Sequence, residues 1–173
     1  DGVFMGKNDA FNPGSNDLER VEILRGPQGT LFGKNTTGGA INMVSKKPIQ
    51  QLEGGLKVEV GNYDRTDIGG SLNIPISDKL AARFSVNNTE RDGYAKNLTT
   101  GSDMGIIDKT GWRAQFLYSP TDDTDIRLIV DGADSETSVL VGETLPPIGD
   151  GIPYTFFNDV DPILKKEGEG VAL

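Results

Sequence analysis

From Leu52 to Val60 the sequence reads LEGGLKVEV, so that uncharged residues at even positions alternate with Glu, Gly and Lys at odd positions. Four later segments repeat this alternation, and the uncharged residues keep even numbers in each of them. Successive side chains of a strand point to opposite faces, so a period of two predicts five strands with one apolar and one polar face each. The five segments are 52–60, 68–76, 80–86, 112–118 and 126–132.

The links between these segments alternate in length. Short links at 61–65, 77–79 and 119–123 contrast with long stretches at 89–109 and 136–170. Tight turns on one side and long loops on the other are typical of an up-and-down antiparallel meander, as in bacterial outer-membrane barrels. A soluble β-sandwich or lipocalin-like barrel, with the apolar face turned inward, fits the periodicity equally well.

Composition narrows the possible functions. The 173 residues include 26 acidic and 17 basic side chains, no Cys and no His, with a net charge of −9. An acidic chain is a poor partner for nucleic acid. Without Cys or His the chain has no disulfide scaffold, no thiolate metal site and no histidine base. No carboxylate pair is singled out by its spacing, so we predict no catalytic residue, metal site or cofactor.

A glycine-dense block precedes the alternating segments. Arg20–Leu24 is predicted to be a short strand, and Pro27 can open a helical turn because its missing N–H costs nothing there. Gly38-Gly39 permits close backbone approach before a second apolar run, Ala40–Val44. The block reads LERVEILRGPQGTLFG at 18–33 and NTTGGAINMVSKKP at 35–48.

This block closely resembles the end of the plug domain of TonB-dependent outer-membrane receptors, which carry the pattern ERVEILRGP, LFG, GGAIN and KKP just before the barrel. Asp1-Gly2-Val3 is similar to an earlier plug segment of that family. The resemblance implies an all-β membrane barrel of about 22 antiparallel strands with a small α+β plug, and it favours the membrane barrel over the soluble fold. Residues 1–50 would be the C-terminal part of the plug, and residues 51–173 the first strands and loops of an incomplete barrel. We expect a fragment that lacks the TonB box and ends in a sixth strand beginning near Gly170.

The resemblance also implies a function. It is active transport across the outer membrane of a Gram-negative bacterium, with the TonB protein pulling on a segment N-terminal to the plug. Ferric siderophore complexes are the expected cargo, and cobalamin, nickel chelates and oligosaccharides are alternatives. The partners would be TonB, outer-membrane lipid and the transported ligand. A rival of another class is a secreted or surface β-scaffold for adhesion, in which the even-numbered faces form a core.

Three groups of residues carry these expectations. Glu22 and Arg25 match plug positions at which the family uses charges against the barrel wall, and Glu59, Arg83 or Arg113 could be their partners. The other plug-motif residues would act structurally; they are Gly26, Pro27, Gly29, Gly33, Gly38 and Gly39. The predicted lipid-facing residues are Leu56, Val58, Val60, Leu72, Ile74, Phe84, Val86, Trp112, Phe116, Tyr118, Leu128 and Val130. Aromatic residues that could contact ligand in the loops are Tyr94, Tyr154, Phe156 and Phe157.

Overall fold

The computed structural model describes residues 17–33, 35–138, 155–156 and 160–173. It consists of a β-hairpin with a short helix, a six-stranded sheet and a small three-stranded sheet. In chain order the elements are β1 (Leu18–Arg25), α1 (Gly29–Phe32), β2 (Gly39–Ser45), β3 (Glu53–Gly61), β4 (Arg65–Ser77), β5 (Leu80–Arg91), β6 (Ala95–Asn97), β7 (Asp103–Met104), β8 (Ile107–Thr121), β9 (Thr124–Ser138), β10 (Thr155–Phe156) and β11 (Ile163–Ala172). No helix in the described ranges is long and apolar enough to cross a bilayer.

The large sheet is an antiparallel meander in the order β3-β4-β5-β8-β9-β11. Its register sets even-numbered residues opposite even-numbered residues from β3 to β9. Leu72 pairs with Phe84, Val86 with Trp112 and Phe116 with Leu128. The five predicted strands therefore exist and share one continuous apolar face, as the alternation requires.

The burial of the two faces is the reverse of that in a soluble protein. On the apolar face Leu56 is 78% exposed and Val86 53% exposed. On the opposite face Asn73, Arg83 and Gln115 are at most 2% exposed. The adhesion-scaffold alternative requires the even-numbered residues to form a core, and in the described part of the chain nothing packs over that face to bury it.

Aromatic packing orders the apolar face. The Trp112 ring lies over Gly132, its cross-strand partner, where a Cβ atom would come within 2.6 Å of the indole Nε1. Phe84 and Phe116 meet edge to face with ring centroids 6.0 Å apart. Such pairs are the unit of stabilisation within a sheet, and they need no covering layer from the protein.

The strands run further than predicted at the end that carries the long loops. β5 continues to Arg91, β8 begins at Ile107 and β9 continues to Ser138, so the predicted loop 89–109 shrinks to residues 92–106. Most residues of these extensions are polar on either face, so the alternation that marks a strand disappears there. For the same reason the sixth strand, predicted from Gly170, in fact begins at Ile163.

The hairpin of β1 and β2 pairs Leu18 with Ser45 at its open end and Arg25 with Gly39 at its closed end. Gly39 has a φ of +143°, and a Cβ atom there would lie 2.5 Å from the Leu24 carbonyl oxygen. The close backbone approach predicted for Gly38-Gly39 is therefore present at Gly39, whereas a Cβ atom at Gly38 would meet nothing within 4 Å. The helical turn begins at Gly29 rather than at Pro27, because the carbonyl of Gln28 is the first acceptor of helical N–H groups.

The small three-stranded sheet contains β6 and β7, which lie between β5 and β8, and β10, which lies between β9 and β11. β10 runs parallel to β6, which pairs in turn with β7. Asp161 ties the chain just before β11 to the same loop, since its Oδ1 accepts 2.8 Å hydrogen bonds from Asn97 and Thr100. Among the described residues, 95–104, 155–156 and Asp161 therefore form one structural unit, which we call the loop unit.

Candidate functional site: the junction between hairpin and sheet

The segment 46–51 connects β2 to β3 and crosses the polar face of the sheet. Beneath it lie Asn73, Arg83 and Gln115, which are register neighbours on β4, β5 and β8. We call these three residues the junction row. They are the most deeply buried large polar side chains of the sheet, so the polar face is the one that the hairpin covers.

Two carboxamides of the junction row hold the connecting segment by its backbone. Asn73 donates to the carbonyl oxygens of Ile49 (2.7 Å) and Gln51 (2.6 Å), and its Oδ1 accepts from the Ile49 N–H (3.0 Å). Gln115 donates to the Lys46 carbonyl oxygen at 2.9 Å. Buried backbone groups require hydrogen-bond partners. In this segment side chains supply the partners that a neighbouring strand would otherwise provide. We call this set of contacts the anchor.

An ion pair holds the chain on the N-terminal side of the hairpin. The Arg83 guanidinium donates through Nε (2.7 Å) and Nη2 (2.6 Å) to the two carboxylate oxygens of Asp17, the residue before β1. The side chains are only 2% and 7% exposed. Glu53 adds a second carboxylate 3.6 Å from Arg83. This bidentate geometry is the strongest form of charge-assisted hydrogen bonding, and we call it the latch.

The latch and the anchor meet at the open end of the hairpin. The Lys46 N–H donates to the Asp17 carbonyl oxygen at 3.0 Å, so both chain ends of the hairpin reach the sheet at one place. A cleft of about 220 Å³ lies beside them, between Asp17, Lys46 and the glycine-rich wall of β3 and β4. Both signs of charge line this cleft. Within the described residues no group of three or more acidic side chains is arranged to hold a metal ion.

The predicted plug charges have other partners than those expected. Glu22 accepts hydrogen bonds from Arg20 (2.6 Å) and Asn42 (2.8 Å), and these donors lower the pKa of its carboxyl group, Arg20 most. No ion pair joins Arg25 to the sheet in the ranges described. The expected pairing with Glu59, Arg83 or Arg113 is wrong here, because Glu22 lies about 17 Å along β1 from the wall contact at Asp17. The three wall charges pair with Lys57, Asp17 and Asp131 respectively.

The sequence predicts the correct face and one of the contact residues, Arg83. It does not predict Asp17, Asn73 or Gln115 as contact residues. Asp17 immediately precedes the motif block, and Asn73 and Gln115 are polar residues on the predicted polar face. Nothing in their spacing marks them as the residues that the connecting segment crosses.

The twelve predicted lipid-facing residues all lie on the exposed, even-numbered face of the large sheet. Four motif glycines have no neighbour that an added Cβ atom would meet within 4 Å; these are Gly26, Gly29, Gly33 and Gly38. Tyr94 packs against the buried pair Ala95 and Met104. The Arg91 guanidinium lies 4.9 Å from the ring centroid of Tyr94.

The remaining loop aromatics cannot be placed in the same way. Phe156 belongs to β10, but its side chain lies outside what the structure describes, as do Tyr154 and Phe157. The match of Asp1-Gly2-Val3 to the plug also lies outside the described residues.

Comparison with known proteins identifies this arrangement. Residues 1–40 match the family described as TonB-dependent Receptor Plug Domain. The metal-pseudopaline receptor of Pseudomonas aeruginosa is 29% identical over 102 residues, which are 58% of this chain and 14% of that protein. The pesticin receptor of Yersinia enterocolitica is 39% identical over 88 residues, which are 50% of this chain and 13% of that protein. The chain thus spans about one seventh of the length of these relatives.

Solved structures of two receptors have a similar fold over about 70% of this chain. The ferric yersiniabactin uptake receptor from Yersinia pestis superimposes with a TM-score of 0.67 at 30% identity, covering 70% of this chain and 20% of that one. The pyoverdine outer membrane receptor of Pseudomonas aeruginosa superimposes with a TM-score of 0.61 at 19% identity, covering 69% and 17% of the two chains, which is evidence for the fold alone.

The first 40 residues thus resemble the plug domain of TonB-dependent receptors, and the chain has the fold of the corresponding part of outer-membrane receptors of that kind. The resemblance to TonB-dependent outer-membrane receptors is confirmed, as are the fold class and the outer membrane as location.

Proposed function

We propose that this chain is the plug-to-barrel junction of a TonB-dependent transporter that imports ferric siderophore complexes across the outer membrane. The observation that carries the proposal is the inverted burial of the sheet. The latch and the anchor attach the hairpin to its polar face, while its apolar face is exposed, which supports a plug on the first face and lipid on the second. The boundary between plug and barrel falls near residue 50 in this proposal.

The names of the relatives support the cargo. They include receptors for metal-pseudopaline, ferric enterobactin and ferric yersiniabactin, all of which are metal chelates. TonB would act through a segment N-terminal to Asp17. The chain would work by binding and movement rather than by catalysis. Tyr94, Tyr154, Phe156 and Phe157 remain our candidates for ligand contact in the loops.

The test is uptake by the complete receptor that carries this chain, expressed in cells without their own siderophore receptors. Cells would receive ⁵⁵Fe-loaded yersiniabactin, enterobactin and pyoverdine, with labelled cobalamin and a nickel chelate as comparisons. We expect accumulation of at least one ferric complex, and loss of that accumulation in a strain without TonB. Accumulation that does not need TonB would overturn the mechanism, and uptake of cobalamin or nickel alone would overturn the cargo.

A further inference from the structure

A cationic side chain and two tyrosines lie together at the end of the sheet that carries the long loops. Arg91, the last residue of β5, is odd-numbered like Arg83, so its side chain lies on the same polar face, about 27 Å further along the strand. The Arg91 guanidinium lies 4.9 Å from the ring centroid of Tyr94, and the rings of Tyr94 and Tyr63 are 6.0 Å apart and tilted by 55°. The Asp92 N–H donates to the Tyr63 carbonyl oxygen at 2.9 Å, which holds the turn between β3 and β4 beside β5. We call Tyr63, Arg91 and Tyr94 the cation–aromatic cluster.

The charge of Arg91 is not neutralised by an ion pair within the described ranges. Its Nη2 donates to the Gly105 carbonyl oxygen, while its Nε is buried without a hydrogen-bond partner there. Arg83 and Arg113 lie on the same face of the sheet, and each of them pairs with a carboxylate. A guanidinium that is held by a carbonyl dipole and a ring face keeps its full charge, and this charge attracts an anion.

Tyr63 presents its ring to solvent from a strained turn. Its φ is +61° and that of Asp64 is +50°, so two successive residues other than Gly adopt the left-handed conformation. Asn, Asp and Gly tolerate this region, whereas a bulky side chain there is an outlier of the kind that clusters at ligand sites. Tyr63 is 52% exposed, and its hydroxyl has no hydrogen-bond partner among the described residues. An aromatic face and an available donor therefore stand beside the Arg91 cation.

Tyr94 is held rigidly from below. It packs against Ala95 and Met104, which are 4% and 1% exposed. Gly105 has a φ of +85°, and a Cβ atom there would overlap the Tyr94 ring, so the position of the ring requires glycine. Groups that are fixed before a ligand arrives lose little entropy when it binds. The cation–aromatic cluster therefore has the preorganisation of a binding surface.

We propose that the cation–aromatic cluster binds an aromatic oxyanion of the transported chelate, namely a phenolate or catecholate arm that coordinates ferric iron. The guanidinium supplies the opposite charge, the Tyr63 hydroxyl supplies a hydrogen bond, and the tyrosine rings supply a surface for the aromatic arm. The inference rests on the proposed function and deepens it, because it selects anionic aromatic complexes over hydroxamate complexes, which offer no aromatic ring to the cluster.

The test is the affinity of the complete, purified receptor for three ferric complexes. These are enterobactin, which binds iron through catecholates, yersiniabactin, which uses a phenolate, and ferrioxamine B, which uses hydroxamates and has no aromatic ring. We expect enterobactin or yersiniabactin to bind at least about tenfold more tightly than ferrioxamine B. Arg91→Gln and Tyr63→Leu should each weaken that binding about tenfold. Lys96→Gln is the matched control, because it removes an exposed cation from β6 and should leave the affinity unchanged.

The salt dependence of binding separates a direct contact of Arg91 from a structural role. Rising salt should weaken the binding of the aromatic complex to the native receptor more than to Arg91→Gln, since the variant lacks the charge that salt screens. Equal salt dependence, equal affinities of Arg91→Gln and Lys96→Gln, or tighter binding of ferrioxamine B would overturn the inference and leave the proposed function intact. Failure of all three complexes to bind would overturn the ferric cargo and this inference with it.

Discussion

Arg83 and Asp17 are opposite charges almost completely withdrawn from solvent, and each satisfies the other. A buried pair adds little net stability compared with two apolar residues, but removal of one partner leaves a charge without compensation. The latch is therefore sensitive to a single substitution.

Asp17→Asn should destabilise the attachment of the hairpin by about 3–5 kcal/mol, because the Arg83 guanidinium keeps its charge and loses its carboxylate. The measurement is the temperature at which the plug of the complete receptor becomes sensitive to protease. Arg20→Gln removes an exposed guanidinium that pairs with Glu19 and Glu22, and it serves as the control with no expected change. Equal behaviour of the two variants would contradict the assigned role of the latch.

Residue-level contacts were the least predictable part of the molecule. The alternation placed Arg83 and Gln115 on the polar face correctly, but the partner of Arg83 depends on where the chain returns to the sheet. Arg83 pairs with Asp17, which lies 66 residues earlier in the chain. The local alternation of residues contains no information on such a long-range contact. Glu22 and Arg25 stood out because they belong to a recognisable motif, yet Glu22 bonds within the hairpin.

At the scale of elements, prediction succeeded wherever one face of a strand was apolar. The predicted strands 52–60 and 68–76 agree with β3 and β4 to within a few residues because their even positions form one apolar face. The alternation does not predict the first part of β11, since Lys165, Lys166, Glu167 and Glu169 place charges on both of its faces. Periodicity therefore indicates the two-faced part of a strand and not its full length.

Val58→Arg and Glu59→Arg place the same charge on the two faces of β3. A cation on the lipid face costs up to ~2–4 kcal/mol near the bilayer midplane, whereas the lumen face tolerates charge. We expect the first variant to reduce the amount of heat-modifiable, folded receptor in the outer membrane and the second to leave it unchanged. Equal defects in the two variants would refute the assignment of faces.

The loop unit should loosen in acid through Asp161. Hydrogen bonds from Ser102, Asn97 and Thr100 hold the pKa of its carboxyl group below the usual value, Ser102 most. Because the folded-state pKa is depressed, the stabilisation is present above the ordinary aspartate pKa of about 4 and is lost as the pH falls below it. Normalised hydrogen-exchange protection of the Asn97 amide should be constant from pH 7 to about 5 and should fall below about pH 4.

Asp161→Asn keeps an oxygen acceptor but cannot titrate, so its protection should not depend on pH in this range. Protection that falls equally in the native protein and in this variant would assign the acid response to another group.

At the scale of the whole molecule, the upper edge of the apolar face runs obliquely across the sheet. It lies at Val60 in β3, Val86 in β5 and Val130 in β9, and the register places each of these further down than the one before. The register sets Val86 four residues and Val130 six residues below the level of Val60, and Val171 of β11 lies level with Val130. Six residues over the five steps from β3 to β11 are about 1.2 residues per step, which at ~3.4 Å per residue and ~4.8 Å between strands corresponds to a tilt of about 40°. Transmembrane β-strands tilt by roughly 35–45°, so the edge is level with the membrane when the strands have the tilt of a barrel.

The most direct test of the central claim is spin-label accessibility on β4 and β5 of the complete receptor in lipid. Single cysteines at Leu72, Phe84 and Val86 should carry labels that collide readily with dissolved oxygen and poorly with an aqueous nickel complex. Labels at Ser71, Ser85 and Asn87 should show the opposite preference, so that the pattern alternates residue by residue. Labels at the even positions that are shielded from both reagents would mean that the apolar face is packed inside protein, and the assignment of that face to the membrane would be wrong.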